Sequence, residues 1–411
     1  MLEILAFVLG GICLGLITGL IPGLHVNNLA PMLAALAAGV SSLSLELAAM
    51  IVAMSITNVF ISYIPSTFLG APEEGTELSV LPAHRLLLDG KGYRAIQLTA
   101  TGCVGGLLAG AAILLPFLAI IGGAYELLRP NMHIVLIAVI AITVAMEKSP
   151  RRILWGCAVF FISGMLGVLT LDTGLLGGDA GLMPLLSGLF GLSVIAPSIM
   201  KSYAIPEQRT EESDIPVGSA ARPILAGTAA GAFTGIIPGI GPSQGTMLAQ
   251  LVTRSNGHDD FLVSVSSVNT SKALFSFVAL YAIGRARSGA AVAVEKLIEV
   301  GLPELALFIG ISMLTGGIAG LLHLRLGKLM ARRMNRIPYR WLSLSVVTFI
   351  CLMTLALTGL TGILVLTVST AIGMLPALAG VRRVHCMGAI VMPCILYFSG
   401  LKSGFLTLLG L

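Results

Sequence analysis

The sequence predicts an all-α polytopic membrane protein with two inverted-topology repeats, each a Pro-Gly-broken helical hairpin followed by about five transmembrane helices. Three observations predict this class: an apolar composition, a motif that occurs once in each half, and loop charges whose bias reverses between the halves. Of the 411 residues, 56% are hydrophobic and 10% are charged, whereas a soluble domain carries about 25% charged residues. This composition excludes a soluble enzyme, a disordered protein and a nucleic-acid-binding protein.

The chain is long enough for roughly 10 to 14 crossings of about 20 residues each. Its most polar stretch lies near the middle, so we predict a first repeat over residues 1–200, a linker over 201–222 and a second repeat over 223–411. The N-terminus lacks the basic residues of a signal peptide, and the first apolar segment is expected to remain in the mature protein. Hairpins are predicted at 4–40 and 223–253, and spans at 45–69, 95–121, 131–147, 153–170, 181–200, 259–283, 302–324, 341–357, 362–379 and 386–409.

A short motif is common to the two halves. Residues 15–23 read GLITGLIPG and residues 231–239 read GAFTGIIPG, so six of the nine positions are identical at an offset of 216 residues. Proline and glycine interrupt helices, and each copy stands at the beginning of its half. We interpret the motif as the break of a helical hairpin in a duplicated unit.

Loop charges indicate how the repeats are oriented. The loop near 122–130 carries one arginine, while its counterpart at 325–340 carries six Lys and Arg residues. The next loop reverses this bias, with three basic residues in 148–152 and none in 358–361. Because cytoplasmic loops collect Lys and Arg, the repeats are predicted to be inverted, with the linker in the cytoplasm and both termini outside. Inverted repeats are typical of secondary transporters, which bind substrate near the midplane between the repeats.

Each hairpin break is followed at once by polar residues, a histidine and two asparagines in the first half, and a serine and a glutamine in the second. The break frees backbone N–H groups, and the returning helix has a positive N-terminal end, so each tip is a candidate anion site. A plain turn at the bilayer surface is the alternative. The predicted substrate-binding residues at the tips are Pro22, Gly23, His25, Asn27, Asn28, Pro238, Gly239, Gly241, Ser243 and Gln244.

Three basic residues of the second half are further candidates for binding an anion. Lys272 lies within an apolar span, where its amine either neutralises a substrate anion or extends to the membrane surface. Arg285 and Arg287 follow that span. These two arginines either bind an anion, form ion pairs with the acidic stretch at 73–77, or are solvated in a loop.

Other chemistry has weak support in the sequence. The six histidines have no ligand spacing, so no metal site is predicted. Asp172 and Asp179 resemble the aspartates of a membrane protease, but Leu176 stands where that motif requires glycine. No enzyme is therefore predicted. The carboxylates that qualify as proton carriers by location alone are Glu46, Glu295, Glu299 and Glu304.

These motifs are similar to those of a known family over nearly the whole chain. The protein resembles the large membrane subunit of the tripartite tricarboxylate transporters, whose halves each begin with a G-x-x-P-G-type segment like residues 19–23 and 235–239 here. The family's S-I-T stretch and I-P-G-T motif resemble residues 55–57 (SIT) and 64–67 (IPST). Its L-G-I-P-G-S motif resembles residues 283–288 (IGRARS), which lack the proline of the motif and contain two arginines.

The resemblance implies ion-driven import of an organic anion, with an extracytoplasmic solute-binding protein and a small membrane subunit as partners. Coupling to Na⁺ or H⁺ would offset the charge of the anion. Backbone carbonyls with Asn, Ser and Thr side chains suit Na⁺, and no other cofactor is expected. The candidate ion-coupling residues are Thr57, Asn58, Ser66, Thr67, Asn269, Thr270 and Ser271.

We therefore predict a multi-pass permease of the cell membrane, a secondary active transporter of a small organic anion, namely a carboxylate. Two alternatives remain open at this stage. The first is a carrier of a lipid-linked anion such as a polyprenyl phosphate, for which Arg285 and Arg287 would suit the phosphate. The second is an anion channel, which a continuous pore would favour.

Overall fold

The computed structural model describes residues 2–21, 26–37, 43–70, 76, 78–147, 149–176, 181–200, 206–211, 215, 217–253, 257–334 and 339–410. These residues form helices, turns and short connections, and no strand occurs among them. The all-α prediction is therefore confirmed for the described chain. Helices are favoured because they satisfy their own backbone hydrogen bonds within the bilayer.

Nineteen α-helices lie in the described chain. The first half contains α1 (Leu2–Leu20), α2 (Val26–Ala37), α3 (Ser44–Ile61), α4 (Tyr63–Phe68), α5 (Val80–Leu88), α6 (Gly92–Ala112), α7 (Leu114–Leu128), α8 (Met132–Ala145), α9 (Pro150–Leu171), α10 (Leu182–Leu186) and α11 (Ser193–Met200). The second half contains α12 (Val217–Thr234), α13 (Pro242–Thr253), α14 (His258–Ile283), α15 (Gly289–Glu295), α16 (Leu302–Arg333), α17 (Tyr339–Ala379), α18 (Gly388–Phe398) and α19 (Lys402–Leu408). Short 3₁₀ turns cover Arg129–Asn131 and Arg383–Met387, and a π-helical turn covers Ser187–Leu192.

Eight helices of the described chain are long and apolar enough to cross a membrane: Leu2–Leu20, Ser44–Phe68, Gly92–Ala112, Leu114–Ala145, Pro150–Leu171, His258–Ile283, Leu302–Arg333 and Ser343–Ala379. The pair Arg383–Phe398 and Lys402–Leu408 bends by 115° and raises the number to nine if it counts as one span. The protein is thus a multi-pass membrane protein. The 10 to 14 crossings stay a prediction, because Ser343–Ala379 is counted once here although a kink at Gly359 divides it into two helices.

The helix boundaries differ from prediction in the middle of the first half. The predicted span 95–121 is divided at Ile113, and α7 continues through the predicted loop at 122–130 as far as Leu128. Pro116 explains the break, because it has no N–H to donate to the carbonyl of Ala112, one helical turn earlier. In this position the proline falls in the first turn of α7, where it is tolerated.

In the second half, the predicted spans 341–357 and 362–379 agree with the structure, because α17 is interrupted by a kink at Gly359 (φ 65°, ψ −159°), inside the predicted connection 358–361. Two other boundaries differ. The predicted span 386–409 is instead bent between α18 and α19. Helix α12 begins at Val217, inside the predicted linker 201–222.

Contacts divide the chain into two compact units, and each draws on both halves. Unit 1 comprises Met1–Tyr125, Ala204–Ile237 and Gly245–Ile337. Unit 2 comprises Glu126–Tyr203, Pro238–Gln244 and Pro338–Leu411. The units do not coincide with the predicted repeats, whose division at the linker stays a prediction.

Within unit 1, equivalent helices of the two halves pack in the same manner. Helix α1 lies against α3, and α12 lies against α14. The crossings are close because glycines recur every four residues. Gly11, Gly15 and Gly19 face α3, while Gly227, Gly231 and Gly235 stand at the same offset of 216 residues and face α14. Small residues at this spacing let helix backbones approach within a membrane.

Other contacts of unit 1 follow the same pairing of halves. Helix α6 packs on α14, and its counterpart α16 packs on α3. Gly70 (φ 63°) and Gly284 (φ 60°), which stand at an offset of 214 residues, both follow the ends of equivalent helices in left-handed backbone conformation. Glycine occupies such positions without the steric cost that a Cβ would add. The packing supports a duplication, while the inverted orientation stays a prediction.

Unit 2 is built around α9 and α17. Helix α18 lies on α9, and the π-helical turn Ser187–Leu192 lies on α17. Gly167 and Gly388 allow the first of these contacts, because a side chain at either would collide with the backbone of the facing helix. An ion pair of 2.7 Å between Lys402 and Asp172 connects α19 to the end of α9.

Candidate functional site

The second hairpin tip is a short turn between α12 and α13. Gly239 has a positive φ of 77°, so the glycine of the Pro-Gly pair is required by the turn itself. Helix α13 then begins with Pro242 in its first position. Proline is tolerated there because the backbone N–H that it lacks would have no acceptor within the helix. Gln244, three residues after Gly241, accepts a hydrogen bond at 3.0 Å from the Gly241 N–H through its Oε1. This is half of a capping box.

Gln244 is the most informative residue of this tip. Its side chain is fully buried, and its Nε2 has no hydrogen-bond partner in the described part of the chain. An unsatisfied buried donor costs about 1–3 kcal/mol. The amide therefore presents a free donor beside the break, which a carboxylate or phosphate oxygen would satisfy.

The tip packs against α18 and the turn that precedes it. A side chain at Gly239 would lie 2.8 Å from Cys394 Sγ, and one at Gly241 would lie 2.9 Å from Met387 Cε. Both glycines are therefore needed for this close packing within unit 2. Ser243 is buried beside them, and Pro238 is half-buried.

The first tip is only partly visible. Pro22, Gly23 and His25 lie outside the described residues, whereas Asn27 and Asn28 lie in the first turn of α2. Helix α1 ends at Leu20 and α2 begins at Val26, and the break at 21–23 stays a prediction.

The candidate coupling residues of the first half lie in two places along α3 and α4. Thr57 donates its hydroxyl to the Ala53 carbonyl at 2.9 Å. Asn58 donates to Thr18 Oγ1 at 3.2 Å, which connects α3 to α1 just before the first break. Ser66 and Thr67 are completely buried; Ser66 shares a hydrogen bond of 3.1 Å with Ser79, and Thr67 Oγ1 has no partner among the described residues.

The candidate coupling residues of the second half lie on α14, and one of them forms a hydrogen bond with a neighbouring helix. Ser271 donates to the Gly106 carbonyl of α6 at 3.0 Å, and Thr270 donates to the Ser266 carbonyl of its own helix at 3.1 Å. Asn269 is 6% exposed. A hydroxyl that donates its proton keeps lone pairs for a cation, so these groups fit Na⁺ chemically, although their visible role is in packing.

The three basic candidates occupy different environments. Lys272 is half-buried in α14, about 21 Å along the helix axis from its first residue. Arg285 is exposed. The guanidinium of Arg287 lies 5.2 Å from the centre of the Tyr125 ring, and its buried Nε and Nη2 have no hydrogen-bond partner in the described chain. Arg287 is therefore the basic candidate whose geometry most favours an added anion.

A polar pair that the sequence analysis missed lies in unit 2. Glu147 is 8% exposed and His385 is 2% exposed, and His385 Nε2 lies 3.0 Å from Glu147 Oε1. By contrast, the four carboxylates that were predicted as proton carriers by location are exposed or half-buried. The carboxylate of Glu304 accepts a hydrogen bond from the Gly301 N–H at the beginning of α16. The available signal was Glu147 itself, an acidic residue directly after an apolar span, which is a functional candidate by default.

A polar cavity of about 380 Å³ lies in unit 1, close to the linker. Arg94, in α6, forms an ion pair of 2.7 Å with Asp259 of α14 at its wall. The linker is fixed here, because Gln208 accepts the Gly92 N–H at 2.8 Å and the Arg209 N–H donates to the Gly90 carbonyl at 2.8 Å. The lining residues are Leu86, Lys91, Arg94, Arg209, Glu211 and Asp259.

These features define a helical multi-pass membrane protein that buries amides, hydroxyls and charged groups at broken or closely packed helices. That interior is typical of proteins that move polar solutes through membranes. The chain belongs to the tripartite tricarboxylate transporter TctA family, whose model matches residues 5–388. This is a family of transporters and not of enzymes, and its members work in tripartite systems with a substrate-binding protein and a small membrane subunit.

A relative supports the same extent of similarity. The chain is 29% identical over 412 residues to an uncharacterized protein of Methanocaldococcus jannaschii, covering 97% of this chain and 99% of the relative. No solved structure matches the chain. The predicted resemblance is therefore confirmed at the level of the family, and the chain is a permease-type membrane protein.

Proposed function

We propose that this protein is a secondary active transporter that moves a small organic anion, a carboxylate, across the cell membrane together with Na⁺ or H⁺. The family supplies the transporter class. The excess of cations over carboxylates, a net charge of +5, does not by itself select a substrate. The anion is proposed from the polar groups at the second tip and near Arg287.

The observation that carries the proposal is the buried Nε2 of Gln244, which has no hydrogen-bond partner among the described residues. It stands at the N-terminus of α13, a twelve-residue helix, whose dipole also favours negative charge. The two contributions act in the same direction on a carboxylate. The corresponding tip of the first half, with Asn27 and Asn28, is proposed to take an equivalent part.

The transport cycle is proposed to use two inverted repeats with the linker on the cytoplasmic side. Duplicate packing of α1 on α3 and of α12 on α14 supports the duplication. A solute-binding protein and a small membrane subunit are the proposed partners, as the family's tripartite systems imply. For the case of coupling to Na⁺, the proposed ligands are the hydroxyl and amide groups on α3, α4 and α14.

A second candidate function rests on Arg287. The buried Nε and Nη2 of its guanidinium have no hydrogen-bond partner within the described ranges. Such a pair of donors matches the paired oxygens of a phosphate as well as those of a carboxylate. A lipid-linked anion such as a polyprenyl phosphate is therefore the alternative substrate. Binding of polyprenyl phosphate that Arg287→Gln weakens, without uptake of any carboxylate, would support this alternative.

Transport is tested with the purified protein in proteoliposomes. We expect concentrative uptake of one of labelled citrate, succinate or acetate under an inward Na⁺ or H⁺ gradient, measured with and without the cognate solute-binding protein. Gln244→Ala should lower the uptake rate at subsaturating anion by about tenfold or more, because a hydrogen bond to a charged group contributes about 1.5–3 kcal/mol.

The matched control is Gln250→Ala, the same substitution at a half-buried position of the same helix. It should transport like the wild type. Wild-type uptake by a folded Gln244→Ala protein would remove Gln244 from the site. Absence of uptake of all three anions by the wild type with its binding protein would reject the carboxylate.

A further inference from the structure

Glu147 and His385 form a buried acid–base pair that the proposed substrate site does not include. Glu147 lies in the connection between α8 and α9, and His385 lies in the 3₁₀ turn Arg383–Met387. Their side chains meet at 3.0 Å, and Glu147 Oε1 also accepts the Arg382 N–H at 3.0 Å. A carboxylate and an imidazole held together away from water are a costly arrangement that a protein retains for structure or for function.

The imidazole is held in place by α9. Gly156 is a glycine because a side chain there would press on the ring, at 3.0 Å from His385 Nε2. Ser163, also on α9, donates its hydroxyl to the His385 carbonyl at 3.3 Å. The geometry of the pair is therefore fixed by the space that Gly156 leaves on α9 and by the hydrogen bond to the backbone of the turn.

The surroundings of the pair are cationic. The described charged side chains on the elements packed around it are Arg151 and Arg152 at the beginning of α9, with Arg382 and Arg383 next to His385. Arg383 donates to Ser193 Oγ at 3.3 Å, and Nη1 of Arg382 is buried without a partner in the described chain. Arg382, whose backbone N–H is bonded to Glu147, is thus the arginine connected most directly to the pair, while Arg151 and Arg152 are exposed.

The same turn carries the contact with the second hairpin tip. Met387, two residues after His385, touches the position of Gly241. Gly241 in turn is bonded to the side chain of Gln244. All of these residues belong to unit 2. The short turn Arg383–Met387 therefore contacts the tip through Met387 and contributes His385 to the acid–base pair.

We propose that Glu147 and His385 form the proton-binding site that couples this carrier to a proton gradient. This inference rests on the proposed function and selects H⁺ over Na⁺ as the coupling ion. The pair with a neutral imidazole and an ionised carboxylate has a charge of −1, and one added proton from the aqueous phase brings it to zero. Only an N–H or O–H bond forms, and no electron is transferred.

Coupling follows from electrostatics. The proton is positive and the transported carboxylate is negative, so each makes the binding of the other more favourable, and this effect is reciprocal. The tip and the pair both contact the turn Arg383–Met387, through Met387 and His385, so both charges would lie in the buried interior of unit 2, where Coulomb interactions are stronger than in water. An anion loaded at the tip thereby binds together with a proton.

The test separates exchange of the anion from accumulation of the anion. Glu147→Gln keeps the shape of the side chain and its acceptor oxygen but cannot bind a proton. In proteoliposomes with labelled citrate, succinate or acetate, the wild type should accumulate the transported anion under an inward proton gradient. Glu147→Gln should lose proton-driven accumulation, while exchange against internal anion, which needs no net proton movement, should decrease much less and remain measurable.

Asp172→Asn is the matched control, because Asp172 is a mostly buried carboxylate of the same unit with an ion-pair partner, Lys402. It should accumulate the anion like the wild type. Proton-driven accumulation by Glu147→Gln would overturn the proposal, as would loss of both exchange and accumulation in the folded variant. Wild-type accumulation that requires Na⁺ and not a proton gradient would overturn it while leaving the transporter function intact.

A measurement on the wild type removes any dependence on folding of a variant. Citrate, succinate or acetate is added to the detergent-solubilised protein in weak buffer with a pH dye. We expect uptake of about one proton for each anion bound, in line with reciprocal linkage. Anion binding without proton uptake would overturn the proposal, and absence of both binding and transport in the wild type would overturn the proposed function with it.

Discussion

At the residue scale, the informative side chains are buried polar groups whose partners are missing or unusual. Gln244 and Arg287 each bury donors without partners in the described chain, and both were predicted as site residues from the sequence. The sequence could name them because amides and guanidiniums are rare in such apolar stretches. It could not show that their donors remain unpaired, since that depends on the packing of distant segments.

His84, in α5 of unit 1, provides a prediction on pH. Burial lowers the pKa of its imidazole below the ordinary value of 6.5, against a smaller opposing effect of a hydrogen bond with the backbone of Thr67. The unfolded chain therefore binds a proton more readily than the folded one. The stability that neutral His84 supports is complete above pH 6.5 and decreases as pH falls below that value toward the lower folded pKa.

We expect His84→Gln to reduce this acid sensitivity. In thermal unfolding of the detergent-solubilised protein between pH 7.5 and 5, the midpoint of the variant should gain on the wild type as pH falls. A His84→Gln slope equal to that of the wild type would contradict the prediction.

At the element scale, glycines decide which helices meet. A side chain at Gly102 of α6 would collide with Ser266 and with the Val263 backbone of α14. We predict that Gly102→Ala destabilises the protein by about 1–3 kcal/mol, the usual cost of overpacking. The expected result is a lower thermal unfolding midpoint and a lower yield of monodisperse protein.

Gly122→Ala is the control for this substitution. It lies in α7, and a side chain there meets nothing within 4 Å. Because alanine is a better helix former than glycine, the control should equal or slightly exceed the wild type in thermal stability. Equal losses in the two variants would show that helix crossing is not the cause.

The same scale shows where the apolar pattern was insufficient. The sequence predicted the centres of the long helices, since about 20 apolar residues are needed to cross the bilayer. It misplaced the break near residue 113, which depends on the backbone bond that Pro116 cannot donate. By contrast, it placed the interruption of α17 correctly, because the Thr-Gly run at 358–361 contains Gly359, whose positive φ divides the two helices.

At the scale of the whole molecule, the open question with a direct test is orientation. Loop charges predict a cytoplasmic linker and external termini. With the six native cysteines replaced, a single cysteine at Glu207 in the linker should resist a membrane-impermeant maleimide in intact cells and react after permeabilisation. A cysteine at Leu409 should react in both conditions.

The opposite labelling pattern, or labelling of both sites in intact cells, would reject the predicted orientation. Glu207 is a suitable position because it lies at the described edge of the linker and its side chain is exposed. The permeabilised sample is the control for reactivity of each thiol. This measurement needs neither a substrate nor a partner, so its result is independent of the proposed transport.

The sequence by itself determined the class of the protein, because composition and span length are local properties that membrane insertion reads directly. It also determined the duplicated Pro-Gly motif and, through its motifs, the family. Only the tertiary structure decided which residues share a unit, such as Glu147 with His385 across more than two hundred residues. Such pairs depend on which helices pack together, and the order of residues along the chain does not encode that packing in any local pattern.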